Sequence, residues 1–209
     1  MAIVINGSGT VTGISVGGLP DGIVDAGTLA TNSVDSAELI DGSIDASHLA
    51  SGVGGITVAD QWRLTVDFQG DAAPIASNWE VADTTGWGGI GSAMTESSGV
   101  FTFSSTGIWK VELVMAFNLV DSHSRYAIGS IYGTTNNSSY VIWADSRSNL
   151  YDSDLTTYAS TYTSFLVDVT DTSNVKVRFH SAVDDNNSST LGSTNDNATF
   201  ATFIRLGDT

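Results

Sequence analysis

The sequence predicts an all-β fold: a C-terminal jelly-roll sandwich preceded by an extended N-terminal arm and a short trimeric shaft made of a decapeptide repeat. Three observations carry this prediction. Strand-forming Val, Ile, Thr and aromatic residues alternate with polar ones at period two through residues 56–209. No stretch shows helical periodicity. Residues 21–50 write one ten-residue unit three times, and all five tryptophans and all eight phenylalanines fall after residue 60, which places the only sizeable core in the last segment.

The arm, residues 1–20, is small, polar and Gly-rich. It alternates briefly at Val4, Thr10–Thr12 and Ile14–Val16, and a turn is expected near Gly17-Gly18 and Pro20. In the repeat, DGIVDAGTLATNSVDSAELIDGSIDASHLA, Val24, Val34 and Ile44 hold one column and Leu29, Leu39 and Leu49 another, five residues on. A five-residue step turns a side chain by about 140° around a helix and flips it to the opposite face of a strand. Neither element makes an apolar stripe from that spacing, so each unit must bend. Asp25, Asp35 and Asp45 each precede a helix-tolerant tripeptide and then Leu, as a cap on one helical turn would. Asp21-Gly22 and Asp41-Gly42 supply turns between units. Two aliphatics per unit cannot bury themselves within one chain. Val24, Leu29, Val34, Leu39, Ile44 and Leu49 are therefore expected to close around a threefold axis with copies of themselves. A disordered acidic linker is the competing reading; the strict columns favour the shaft. Residues 21–55 form the shaft with its Gly-rich joint, Ser51–Gly55.

In the knob, residues 56–209, strands are expected at 62–68, 99–104, 107–119, 125–133, 138–144, 161–169, 174–181 and 198–206, with a short one at Trp79–Val81. Trp109, Val111, Leu113, Met115 and Phe117 make one inward face. Val175, Val177 and Phe179 point inward while Lys176, Arg178 and His180 point out. Eight or nine short strands at near-regular spacing suit a two-sheet sandwich or jelly roll. The polar stretches 133–140, 144–162 and 181–198 read as long loops.

Composition narrows the function. Lys plus Arg total 7 against 23 acids, a formal net charge of −16, which opposes nucleic acid and anionic membrane surfaces as partners. The acidity reads as solubility and self-repulsion. There is no cysteine, hence no disulfide and no thiolate metal site. The start MAIVINGSGTVTGISVGG has no basic region or long apolar run and is not expected to be a signal peptide; no run approaches a membrane span.

Literal motifs give little chemistry. GWGGIG (86–91) fits G-x-G-x-x-G, but no amphipathic helix follows, so a Gly-rich loop is expected. His48, His123 and His180 are unpaired and read as surface residues. Asp152/Asp154, Asp168/Asp171 and Asp184/Asp185/Asp196 offer oxygen ligands, yet without calcium-loop spacing or a closing Glu. No cofactor is expected, with calcium the one ion kept in view. There is no G-x-S-x-G and no catalytic Cys, so no enzyme is expected; a polysaccharide-cleaving spike would need two carboxylates across a cleft.

The segment SGVFTFSSTGIWKVEL (98–113) resembles the aromatic-Thr-aromatic then Gly-x-aromatic signature of the tumour necrosis factor and complement-globular-head jelly roll, and NATFATFIRLGD (197–208) resembles its last core strand. The resemblance covers about residues 62–208 and gives Phe101, Phe103, Gly107, Trp109, Phe200 and Phe203 core or turn roles. It implies a homotrimer. The first 55 residues resemble the N-terminal and shaft regions of bacteriophage fibre proteins of the cyanophage type. Together these resemblances imply a virion fibre or appendage: an arm bound to other virion proteins, a shaft, and a knob that meets host-surface glycan or protein. In the polar loops, Asn136, Asn137, Tyr140, Tyr151, Asp152, Tyr158, Asn186 and Asn187 are the candidate receptor contacts, since amides and carboxylates meet sugar hydroxyls and tyrosine rings stack on sugar faces. Plain solvated loops are the alternative for these residues, and a capsid or tail decoration without receptor binding is the alternative for the whole chain.

Overall fold

The computed structural model describes residues 4–5, 11–12 and 55–209, without the side chains of residues 4–5, 11–12 and 152–154. The chain divides between Val53 and Gly54. In the first unit, β1 (Val4–Ile5) and β2 (Val11–Thr12) pair antiparallel, Val4 opposite Thr12, so the arm expected to be extended includes a two-stranded ribbon. The shaft positions Val24, Leu29, Val34, Leu39, Ile44 and Leu49 lie outside the described residues.

The second unit contains β3 (Val58–Leu64), β4 (Phe68–Gln69), β5 (Trp79–Val81), β6 (Thr95–Ser97), β7 (Val100–Thr102), β8 (Gly107–Thr134), β9 (Val141–Val169), β10 (Lys176–Val183), β11 (Ser189–Thr190) and β12 (Phe200–Gly207). All described pairings are antiparallel, and the strand order is β5-β3-β12-β8-β10-β7-β6 with β9 beside β8. The first half of β8 pairs with β12 at residues 108–114 and its second half pairs with β10 at 127–134. One long β8–β9 hairpin therefore belongs to two leaves. Leaf I runs β5-β3-β12, then residues 107–120 of β8 and 156–169 of β9. Leaf II runs β6-β7-β10, then residues 127–134 of β8 and 141–150 of β9. Register shifts at Val120/Ser122 and Ser124/Ala127 mark where the hairpin turns from one leaf to the other, the use bulges commonly serve. The fold is an all-β jelly roll.

The inward stripe is the expected one: Trp109, Val111, Leu113, Met115, Phe117 and Leu119 are all at most 1% exposed. Facing it from leaf II are Phe101, Phe103, Val175, Val177 and Phe179. Phe101 lies 5.5 Å from Trp62, 5.4 Å from Trp79 and from Phe203, and 5.1 Å from Phe179, ring centroid to ring centroid. Aromatic rings so arranged add edge and tilted contacts to their area burial. At Gly107 φ is 131° and a Cβ would strike the Gly207 carbonyl, so the glycine of the motif is required by a close approach between chain segments.

Three expectations change. Residues 107–119 and 125–133 are one continuous strand, because the turn between leaves is made by bulges without breaking the pairing. Residues 145–160, expected as loop, are strand paired with β8; a Ser/Thr/Tyr-rich segment satisfies a strand whose outward face is polar, while Ala159, Thr161 and Thr163 fill the inward positions with small groups. The first strand starts at Val58, four residues earlier than expected.

Candidate functional site

The functional candidates lie on the outward faces of the two leaves and at the end where the hairpin turns. Chain entry fixes the ends. Thr57 accepts a hydrogen bond from Arg205 Nη1 at 3.2 Å, so the domain begins beside the end of β12, and the turn 135–140 between β8 and β9 lies at that same end. The hairpin bend lies at the opposite one.

On leaf I, alternation turns Tyr158, Tyr162 and Leu166 of β9 outward, where they are 68%, 55% and 59% exposed. Among the described residues β9 pairs only with β8, so its other edge leaves backbone donors and acceptors open. Behind the stripe, Lys110 pairs with Glu112 at 2.7 Å, and the Tyr162 hydroxyl donates to Glu112 at 2.6 Å. Burial pushes the Glu112 carboxyl up, but the hydrogen bonds from Lys110 and Tyr162 together outweigh it and hold the group below its ordinary value. On the far side of the same face a shallow pocket of about 150 Å³ is lined by Gln61, Trp87, Thr202 and Ile204 among others. The pocket includes part of the GWGGIG loop, which leads into strand β6 rather than a helix.

On leaf II, β10 turns Lys176, Arg178 and His180 outward, and the adjacent strand places Tyr132 opposite Arg178 and Ser130 opposite His180. The Arg178 guanidinium sits 4.0 Å from the Tyr140 ring centre and 5.8 Å from that of Tyr132, within cation–π range. The His180 ring stacks on Tyr132 at 3.8 Å. It is half-buried rather than a free surface histidine, because Tyr132 covers it. Burial, and after it the charge of Arg178, pushes His180 down to about 4, so the imidazole is neutral at pH 7. Burial raises the Tyr140 hydroxyl, against the opposing pull of Arg178. Arg178 Nε and His180 Nε2 are buried without a hydrogen-bond partner.

The sequence candidates separate into three places. Asn136, Asn137 and Tyr140 occupy the 135–140 turn. There Asn136 Oδ1 accepts hydrogen bonds from the Ser138 and Ser139 amides at 3.0 and 2.9 Å and the Thr134 hydroxyl at 2.9 Å, which makes it the staple of the turn; Asn137 is exposed, with φ of 51°. Tyr151, Asp152, Asn186 and Asn187 gather near the bend. Tyr151 is 81% exposed and its ring lies 6.2 Å from that of His123; Asp152 stands opposite Ser122. The exposed Asn187 donates its amide and Nδ2 to Asp185, and Asn186 borders Gly70. Arg125 donates twice to Asp184, at 2.6 Å each, and that hydrogen bonding holds Asp184 below its usual range. Tyr158 belongs to the leaf I stripe. Among the described residues no group of three or more His, Cys, Asp or Glu could hold a metal ion. Sequence reasoning gave the outward side for Arg178 and His180 but not their meeting with Tyr132 and Tyr140. The available signal was cation scarcity: two of only seven Lys and Arg residues stand two apart on one strand face.

Strand order, doubled hairpin and aromatic core define a TNF-like jelly roll. Among solved structures, the chain is similar to Eiger TNF from S. frugiperda, at 13% identity and a TM-score of 0.54 over 74% of this chain and 96% of that one. It is also similar to murine APRIL at pH 5.0, at 11% identity and 0.52 over 71% and 98%. At such identities the likeness is one of fold. No protein-family model matches the sequence, and no curated protein matches it significantly.

Proposed function

We propose that the chain is the subunit of a homotrimeric bacteriophage fibre or appendage, of the cyanophage type, whose jelly-roll knob adheres to glycan on the host surface during adsorption. In this reading the arm attaches to other virion proteins, the repeat is a spacer, and the assembled protein resides in the virion. The observation that carries it is the exposed stripe Tyr158, Tyr162 and Leu166 beside an open strand edge. The three large side chains, set apart by the exposed Ser160 and Ser164, stand beside a strand edge whose backbone groups another chain can pair with. The need is the same one that the columns Val24, Val34, Ile44 and Leu29, Leu39, Leu49 impose on the shaft. Association of three chains would cover both, and three knobs would multiply weak contacts by effective concentration.

Light scattering on the purified full chain is expected to give about three times 21.8 kDa, and labelled protein is expected to bind host cells and compete with phage adsorption. A monomeric mass overturns the assembly. A trimer that neither binds cells nor competes leaves a structural decoration of the particle as the reading.

A further inference from the structure

The cation inventory exposes a second site. Seven Lys and Arg residues face 23 acids in this chain. Five of the seven are in ion pairs: Arg63 with Glu80 and Asp83, Lys110 with Glu112, Arg125 with Asp184, Arg147 with Asp145, and Arg205 with Asp208. The other two, Lys176 and Arg178, have no carboxylate partner among the described residues, although acids outnumber cations threefold. They stand two residues apart on the outward face of β10. The Lys176 ammonium reaches only the Thr102 hydroxyl, at 2.9 Å. The Arg178 guanidinium is held against Tyr140, and its Nε is buried and unsatisfied. A buried donor without an acceptor is costly, and a guanidinium fixed by its face on a ring keeps its edge donors for a planar acceptor.

We propose that Arg178 and Tyr140 form a binding site for a carboxylate-bearing sugar. The Nη groups of the guanidinium would take the carboxylate, while Lys176, turned toward Thr102 on the β7 side, adds positive potential only at longer range. Tyr140 and the exposed Ile142, which lies opposite Tyr132 in the sheet, would take an apolar sugar face, and the exposed Asn137 in the same turn would take a hydroxyl. Net charge selects among anions. A field of −16 repels an acidic peptide or nucleic acid along its whole length, whereas a single carboxylate on a neutral scaffold meets only the local charge of Arg178. That description fits an acidic residue within an otherwise neutral glycan. The inference rests on the glycan-binding reading above and names the chemistry of the glycan.

Calorimetric titration of the full chain tests it with three probes: a trisaccharide containing one glucuronic acid, the same trisaccharide with glucose in that place, and a triglutamate peptide. Binding of the acidic sugar at least tenfold tighter than either other probe is expected. Arg178→Gln should abolish that preference, Arg178→Lys should restore part of it, and Arg125→Gln at the other end should leave it intact, all with unchanged melting temperature. No heat with the acidic sugar at millimolar concentration overturns the site, as does equal binding of the neutral sugar or a preference that survives Arg178→Gln. Equal binding of triglutamate overturns the sugar class. Cell adsorption is not part of this measurement, so host binding through another surface and failure of this site give different results.

Discussion

The outward faces of the two leaves lack different things. Leaf I has its cations paired, Lys110 with Glu112 and Arg63 with Glu80 and Asp83, but leaves Tyr158, Tyr162 and Leu166 bare. On leaf II, His180 stacks on Tyr132 and Arg147 is paired with Asp145, but Lys176 and Arg178 have no carboxylate partner among the described residues. A face that lacks apolar cover wants a second protein surface; a face that lacks an anion wants a ligand. In the proposed reading one leaf would hold the assembly and the other would recognise the target, because alternation along each strand separates the inward core from either task.

The largest perturbation should erase the contrast altogether. Phe101, 0% exposed and in ring contact with both leaves, is expected to cost about 3–5 kcal/mol as Phe101→Ala. Denaturant unfolding should show the loss, with both faces failing together; a loss below about 1 kcal/mol would mean that the leaves do not share this core. Next in size, Leu166→Asp should strike leaf I alone. A carboxylate placed in a desolvated contact is expected to weaken self-association on the order of 100-fold, read as a fall in mass by sedimentation, while binding of the glucuronic acid trisaccharide persists. A variant that keeps the wild-type mass at micromolar concentration would remove the stripe from the interface.

What the sequence made legible follows the same division. Period two announced the core: the stripe from Trp109 to Phe117 and the opposed sides of β10 could be read directly, since alternation is a local property of the chain. Polar strands could not. Residues 145–160 carry the Ser, Thr and Asp of a loop, and only pairing against β8 declares them strand. The site candidates shared that limit. Asn136 was chosen as a sugar contact for its amide, but the amide staples its own turn. Tyr158 was chosen as a loop residue and lies on the outward face of β9. Tyr140 was chosen for its ring, yet its partner Arg178 is 38 residues on in sequence, and only the fold brings them together. Shortage of cations was visible from composition; which two lacked partners was not.

The smallest effect separates the leaves by pH. His180 on leaf II has its folded value lowered from 6.5 to about 4, so between those values the unfolded chain binds the proton and the folded chain does not. Stability must then rise with pH across that window and fall on acidification from about 6.5, levelling near 4. Burial under Tyr132 is the main cause and the charge of Arg178 adds to it; the other groups on this face are Ser130 beside it, Lys176 further along the same strand, and the Asp145–Arg147 ion pair one strand beyond. Discounted for the half of the ring that stays in solvent, the loss is on the order of 1–2 kcal/mol. Carboxylates elsewhere, among them Asp184 and Glu112, are held low, and lose their stabilising contribution only as pH falls through their folded values. The wild-type melting temperature should therefore drop more than that of His180→Gln between pH 7 and 4.5, and the two curves should run parallel below pH 4. Parallel curves over the whole range would show a solvated ring, and with it a leaf II face less tightly packed than Tyr132 and Arg178 make it here.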